Sequence, residues 1–286
     1  MRTIAVAVAF VALAAGPAAA QGHGKALGKG RAGPVTSGSA TAAATASSTG
    51  VRQFGSWLDD ASVLGTGNAW TAISFGHYRT PFSHQTDFPI ADVSVGVTRR
   101  AQIGVTVPYY RLQLPDGSSL NGIGDMYFST KLSIVDPHEK GRRVGLAVSP
   151  TVELLDTSTT EAGRFGWGAP VSLEFRGKGY RVFGSTGYFS RGAVFGSSAV
   201  EIPVQERLMI TTALSVMRAI NNDPVADTLQ LPKTRTDLNG VAAYFLAPSV
   251  AVFGGAGRTI SNAAAGGTSL MVTGGISFTL TPRVTP

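Results

Sequence analysis

Eight ionisable side chains stand where the alternation of an extended chain would turn them to one side: Asp92, Asp125, Lys131, Glu153, Glu174, Arg181, Glu201 and Asp237. Both signs are present. Acids and bases that converge on an enclosed space pair with one another and with water. Such a set either lines a passage for polar solutes or only fills an interior, and the spacing leaves both open. Nucleophilic chemistry has thinner support. His77, Ser83 and His84 lie close in sequence, yet no acid is spaced to orient an imidazole and no nucleophile elbow is present. The four histidines form no H-E-x-x-H pair, and there is no cysteine for a thiolate, a disulfide, a Cys-based metal site or a lipoprotein acyl group. The expectation is therefore no catalytic residue, no metal and no cofactor.

The elements that would position these charges are strands. Val144, Leu146, Val148, Val152 and Leu154 share one face of an extended chain, and Gly145, Ala147, Ser149, Thr151 and Glu153 share the other. The same rhythm predicts twelve strands near residues 69–79, 90–98, 101–112, 122–134, 142–155, 168–176, 179–190, 193–203, 206–219, 235–246, 249–260 and 268–281. Tight links at Arg99-Arg100, Asp136 to Gly141, Gly177 to Gly179, Pro203 to Glu206 and Ala247-Pro248 alternate with looser ones. The looser ones are Pro81 to Pro89, Pro115 to Asn121, Asp156 to Gly166, Ile220 to Lys233 and Ser261 to Gly266, with the Arg191 link alone out of keeping.

This pattern predicts an all-β fold: an antiparallel up-and-down transmembrane β-barrel of about twelve strands, with short periplasmic turns and longer extracellular loops. An even strand number brings both chain ends to the short-turn rim. The greasy stripes support the reading, because Val93, Val95 and Val97, Ile103, Val105 and Val107, or Leu208, Ile210, Leu214 and Val216 carry no charge among them. A basic side chain on a lipid face at the midplane costs about 2–4 kcal/mol. Trp70, Tyr78, Tyr109, Tyr110, Trp167, Tyr180, Tyr188 and Tyr244 fall near strand ends, where an interfacial girdle would place them. Pro108 and Pro150 each remove a ladder donor, so both should sit at strand ends or bulges.

The N-terminal segment reads differently. Residues 1–20 have a basic start at Arg2, an apolar run from Thr3 to Ala15 and Ala18-Ala19-Ala20 before Gln21, the form of a cleavable signal peptide. Residues 21–50 are rich in Ala, Gly, Ser and Thr and nearly devoid of large apolar side chains, which predicts a disordered spacer before a barrel domain at 51–286. The formal charge of +7 is concentrated here. Removing Arg2, Lys25, Lys29 and Arg31 leaves 20 basic against 17 acidic side chains, a net +3, and no basic stripe with interleaved aromatics favours a nucleic-acid partner.

Two stretches resemble a known family. Val97 to Tyr110, VTRRAQIGVTVPYY, and Asn121 to Leu132, NGIGDMYFSTKL, are similar to consecutive hairpin and strand motifs of outer-membrane β-barrel proteins of the transporter or phenol-degradation MetA-pathway type. The resemblance covers about thirty residues directly. Arg99-Arg100 stands where that family usually has Asp-Arg, and the chain ends in Thr-Pro beyond Phe278 where barrels of this kind commonly end in an aromatic residue. Carried over by resemblance are Gly122, Gly124, Asp125 and Lys131, and what it implies is transport of small solutes, hydrophobic or aromatic ones among them, across an outer membrane. The partners then expected are outer-membrane lipid, the barrel-assembly machinery and small solutes. Competing expectations are a non-conducting structural or adhesive barrel, a lipid hydrolase using His77, Ser83 and His84 at the outer rim, and a soluble secreted β-sandwich, which would also need an apolar face.

Overall fold

A computed structural model describes residues 58–81, 83–139, 142–154, 165–190, 192–220, 233–261 and 267–281. The expected signal segment and spacer lie outside the described residues, as do most of the links expected at Asp156 to Gly166, Ile220 to Lys233 and Ser261 to Gly266.

Fifteen segments follow one another: β1 Ala69–Arg79, β2 His84–Thr98, β3 Ala101–Gln113, β4 Ser119–Ile123, β5 Met126–Val135, β6 Val144–Val148, β7 Thr151–Leu154, β8 Phe165–Gly168, β9 Val171–Arg176, β10 Arg181–Phe189, β11 Ala193–Gln205, β12 Leu208–Ala219, β13 Thr234–Ala247, β14 Val250–Ser261 and β15 Leu270–Leu280. Three of the staves are interrupted by two residues each, β4/β5 at Gly124-Asp125, β6/β7 at Ser149-Pro150 and β8/β9 at Ala169-Pro170. The fifteen segments therefore make a twelve-strand antiparallel barrel. Its seam closes between β1 and β15 in unbroken register from Ala69 opposite Leu280 to Arg79 opposite Leu270. Pairing the first strand with the last removes the two long edges that an open sheet would expose to hydrocarbon. A two-sheet sandwich is thereby excluded.

Side chains alternate as the sequence implies. Ile73, Val93, Ile103, Phe128, Leu132, Ile134, Val152, Leu173, Ile210 and Val252 are exposed on the outer wall, while their neighbours along each strand are buried within it. The interruptions keep this phase, so Gly145, Ala147, Ser149, Thr151 and Glu153 all face inward across the Ser149-Pro150 break.

The prolines are accommodated at these irregularities. Pro150 and Pro170 lack a donor, but the Pro150 carbonyl accepts from Thr130 N at 2.9 Å and the Pro170 carbonyl from Ser149 N at 2.8 Å. Pro108 lies inside β3, opposite Ile90 at a register shift in β2, and its carbonyl accepts from Gly124 N at 2.9 Å where β4 gives way to β5. One expected boundary is corrected here. The link placed at Pro81 to Pro89 is shorter, because β2 begins at His84 and takes Pro89 in at that shift between Asp87 and Ile90.

The aromatic girdle is also corrected. Tyr109, Trp167, Tyr180 and Tyr244 face out, and Tyr188 packs edge-on against Trp167 with ring centroids 5.6 Å apart. Trp70, Tyr78 and Tyr110 are buried inside. They fall on the same parity as Ala72, Ser74, Gly76 and Leu112, so strand phase, not nearness to a strand end, decides their direction.

Candidate functional site

The segment from Leu58 to Asn68, just before β1, enters the barrel and crosses it near the short-turn rim. Leu58 packs with Phe183, Ala199 and Ala213 from β10, β11 and β12. Opposite, Leu64 N donates to Gln102 Oε1 of β3 at 2.8 Å, and Gly67 N donates to the Gly96 carbonyl of β2 at 2.8 Å. Gly96 is required there, since a Cβ would lie 2.3 Å from the Gly65 carbonyl oxygen and 2.5 Å from that of Leu64. Leu58, Ala61, Ser62 and Leu64 are 0 % exposed.

A charged cluster ties this segment to the wall. Lys131 Nζ donates to Asp59 Oδ1 at 2.6 Å, to Asp60 Oδ1 at 3.1 Å and to the Ser62 carbonyl at 3.1 Å, so all three ammonium protons are spent on it. Arg181 reaches Asp60 Oδ2 at 2.6 Å through Nη1 and grips Glu201 with Nε and Nη2 at 3.0 and 3.1 Å. Its guanidinium also stands 4.5 Å over the Phe183 ring. Glu174 accepts from Arg176 Nε at 2.6 Å and from Ser62 Oγ at 2.8 Å, and it lies 3.6 Å from Arg181 Nη1. Three cations thus meet four carboxylates. Planar, two-pronged Arg–carboxylate contacts of this kind hold strongly in a dry interior, and removing one partner strands the others.

His138, in the β5–β6 turn, touches the underside of the cluster with Nε2 3.3 Å from Ser62 Oγ. Burial, followed by the nearby Arg176 guanidinium, pushes its pKa below the ordinary imidazole value.

All eight residues expected to face the interior are between 2 and 8 % exposed. The fold brings Lys131, Glu174, Arg181 and Glu201 into the one cluster. The other four sit elsewhere. Asp92 accepts from Thr106 Oγ1 at 2.6 Å, and Asp237 accepts from Arg235 Nε at 2.8 Å and Thr259 Oγ1 at 2.5 Å. Asp125 lies at the β4/β5 break and Glu153 on β7, opposite Tyr127 and Gly166. Missed altogether were Asp59 and Asp60, which supply most of the anchorage. A signal existed, because Asp59 is the first acid in the chain and Asp60 follows it directly.

Toward the opposite rim Tyr127, Phe189, Ala193, Phe195 and Met217 form a buried apolar group, with the Phe189 and Phe195 rings 5.5 Å apart, and Met209, Val241, Ala243 and Phe253 form another nearer the short-turn rim.

No family model and no curated protein matches the chain in sequence. Solved structures do match in shape. The NanC porin superposes with a TM-score of 0.54 at 11% identity, covering 73% of this chain and 100% of that one. An outer membrane channel from Pseudomonas putida F1 superposes with a TM-score of 0.58 at 11% identity, covering 77% of this chain and 98% of that one. The fold is that of an outer-membrane-type β-barrel. At such identity the likeness is one of fold, and the interior cluster has to be read from its own geometry.

At the long-link rim the histidines weighed for catalysis point outward. His77 and His84 stack with centroids 6.4 Å apart, His77 Nδ1 lies 3.0 Å from Thr86 Oγ1, and Ser83 Oγ is held by Thr80 Oγ1 at 3.0 Å. Among the described residues no three His, Asp or Glu side chains are grouped to hold a metal ion.

Proposed function

We propose that the chain is an outer-membrane channel for small solutes whose bore is shut near the periplasmic rim by residues 58–68. The observation that carries this is a closed barrel with an apolar outer wall and an interior crossed by one chain segment, which ion pairs at Asp59 and Asp60 tie to the wall while Leu58 and Leu64 pack at its two sides. Water entering the bore can take over the polar contacts as the segment leaves. The short turns and both ends of the barrel domain lie at one rim, which we assign to the periplasm. The solutes we assign are small and hydrophobic or aromatic. The apolar groups around Phe189 and Phe253 suit them, as does the similarity of Val97 to Tyr110 and Asn121 to Leu132 to transporter and MetA-pathway barrels.

Catalysis is not part of this reading, since the fixed partners of His77 and Ser83 leave neither poised on the other. The occupied bore favours one rival, a structural or adhesive barrel that never conducts. Planar bilayers separate the two. A channel shut by a releasable segment gives infrequent discrete current steps from the full chain, and a bilayer that stays sealed across many insertions assigns the protein to the rival.

A further inference from the structure

The outer wall near the long-link rim carries a feature that a channel does not require. His77 of β1, Thr86 of β2 and Arg111 of β3 are successive register partners, and one step further along the strands so are Arg79, His84 and Gln113. Asn121 of β4 pairs with Arg111 and Ser119 with Gln113. On the other side of the seam, Arg258 of β14 follows Gly257, which pairs with Met271, itself the partner of Tyr78. The side chains of His77, Arg79, His84, Thr86, Arg111, Gln113, Ser119, Asn121 and Arg258 point outward. With strands about 4.8 Å apart, the row from β14 to β3 spans roughly 19 Å.

The charge on this patch has one sign. Asp87 and Asp92, the acids of β2, face inward, and β1, β3, β4, β14 and β15 contain no acid. Among the described residues an outward acid, Asp116, is at the β3–β4 hairpin tip, where Ser118 N and Oγ hold it at 2.9 and 2.6 Å. Among the described residues Arg79, Arg111 and Arg258 make no ion pair. The short-turn rim differs, because Glu139 there takes both Arg100, at 2.8 Å, and Arg142, at 2.6 Å. Directly below the patch the wall is greasy, with Phe75, Phe88, Tyr109 and Ile123 exposed. Guanidinium groups and polar side chains above an apolar wall match an anionic headgroup above acyl chains.

We propose that this face of the barrel binds the phosphate groups of a phosphorylated glycolipid in the outer leaflet. The proposal rests on the outer-membrane reading above. The arginines take the phosphates, the amides and Thr86 the sugar hydroxyls, and Phe75, Phe88 and Tyr109 the first methylenes.

The test uses the full chain folded in detergent and native mass spectrometry or fluorescence titration with three probes: bisphosphorylated lipid A, its dephosphorylated counterpart and inorganic phosphate. The wild type is expected to prefer the bisphosphorylated lipid by on the order of 10- to 100-fold, at about 1 kcal/mol per basic side chain with some screening. R79Q/R111Q/R258Q is expected to lose that preference, while R100Q/R142Q on the other rim retains it. Undiminished preference in the first variant, or equal loss in both, overturns the proposal. Displacement by millimolar inorganic phosphate also overturns it, in favour of a free-anion site. Heat-modifiable migration on gels reads the barrel separately. Its absence from the wild type would count against the membrane reading itself, whereas a folded barrel that does not discriminate the lipids counts against the patch alone.

Discussion

Arg181 and Arg111 carry the same charge and are housed in opposite ways. Arg181 is sealed within the barrel between Asp60, Glu174 and Glu201, whereas Arg111 stands on the outer wall with no acid beside it. The interior neutralises its cations from the same chain, which couples the wall to the segment before β1. The exterior leaves its cations to be neutralised by whatever lies against the wall. Position on the pleat separates them: odd-numbered Arg181 and odd-numbered Arg111 fall on strands of opposite phase, so parity has to be read strand by strand.

The largest expected effect comes from breaking the interior. Arg181→Met leaves three carboxylates partly unpaired in a dry site and is expected to cost about 3–5 kcal/mol, read as a lower urea midpoint for barrel unfolding. Arg111→Met, the matched change outside, is expected to change the unfolding free energy by no more than about 0.5 kcal/mol, leaving the midpoint nearly in place. Equal shifts would erase the distinction between the two regions.

Gly96→Val sharpens the comparison without touching a charge. Its side chain would collide with the Leu64 and Gly65 carbonyls, so the segment has to move, at about 1–3 kcal/mol, and protease sensitivity near residues 58–68 should rise while heat-modifiable migration persists. An unchanged digestion pattern would mean that the segment is not held against β2.

A smaller effect follows from His138. Its folded-state pKa is depressed, so the folded protein binds the proton more weakly than the unfolded chain. The contribution is fully present above the unfolded value of about 6.5 and is lost as pH falls below it toward the folded value. Stability is therefore expected to decline between about pH 7 and pH 5 by more in the wild type than in His138→Gln, which cannot titrate. Parallel pH profiles would remove His138 from the account.

Most of the wall was legible in the sequence. A period of two over roughly ten residues has few other physical meanings when its apolar face is free of charge, and the register of β1 on β15 places Thr71 opposite Phe278, close to where the strand pattern put the seam. The charges on the strands were legible for the same reason. Lys131, Glu174, Arg181 and Glu201 share the inward parity of their own strands. Asp59 and Asp60 were not, because the segment from Leu58 to Asn68 has no repeat and the wall residues that bind these two acids lie 71 to 126 places away in sequence. Trp70 and Tyr110 were misplaced by reading position along the strand before phase. The outward arginines escaped notice because Arg79 and Arg111 stand where β1 and β3 extend past their apolar stretches, and Arg258 is a single charge on the outward face of β14 before Ile260.

The central claim is that residues 58–68 shut a conducting barrel through Asp59 and Asp60. Single-channel recording on Asp59→Ala/Asp60→Ala beside the wild type, at equal protein-to-lipid ratio, tests it most directly. The variant removes both carboxylate anchors of Lys131 and one anchor of Arg181 while leaving the Lys131 bond to the Ser62 carbonyl, the Arg181–Glu201 pair and the wall intact. The account predicts frequent, long openings in the variant against rare ones in the wild type, on the order of tenfold or more in open probability, which corresponds to about 1.4 kcal/mol of lost closure. Equal open probability, or a bilayer sealed by both proteins, would contradict it.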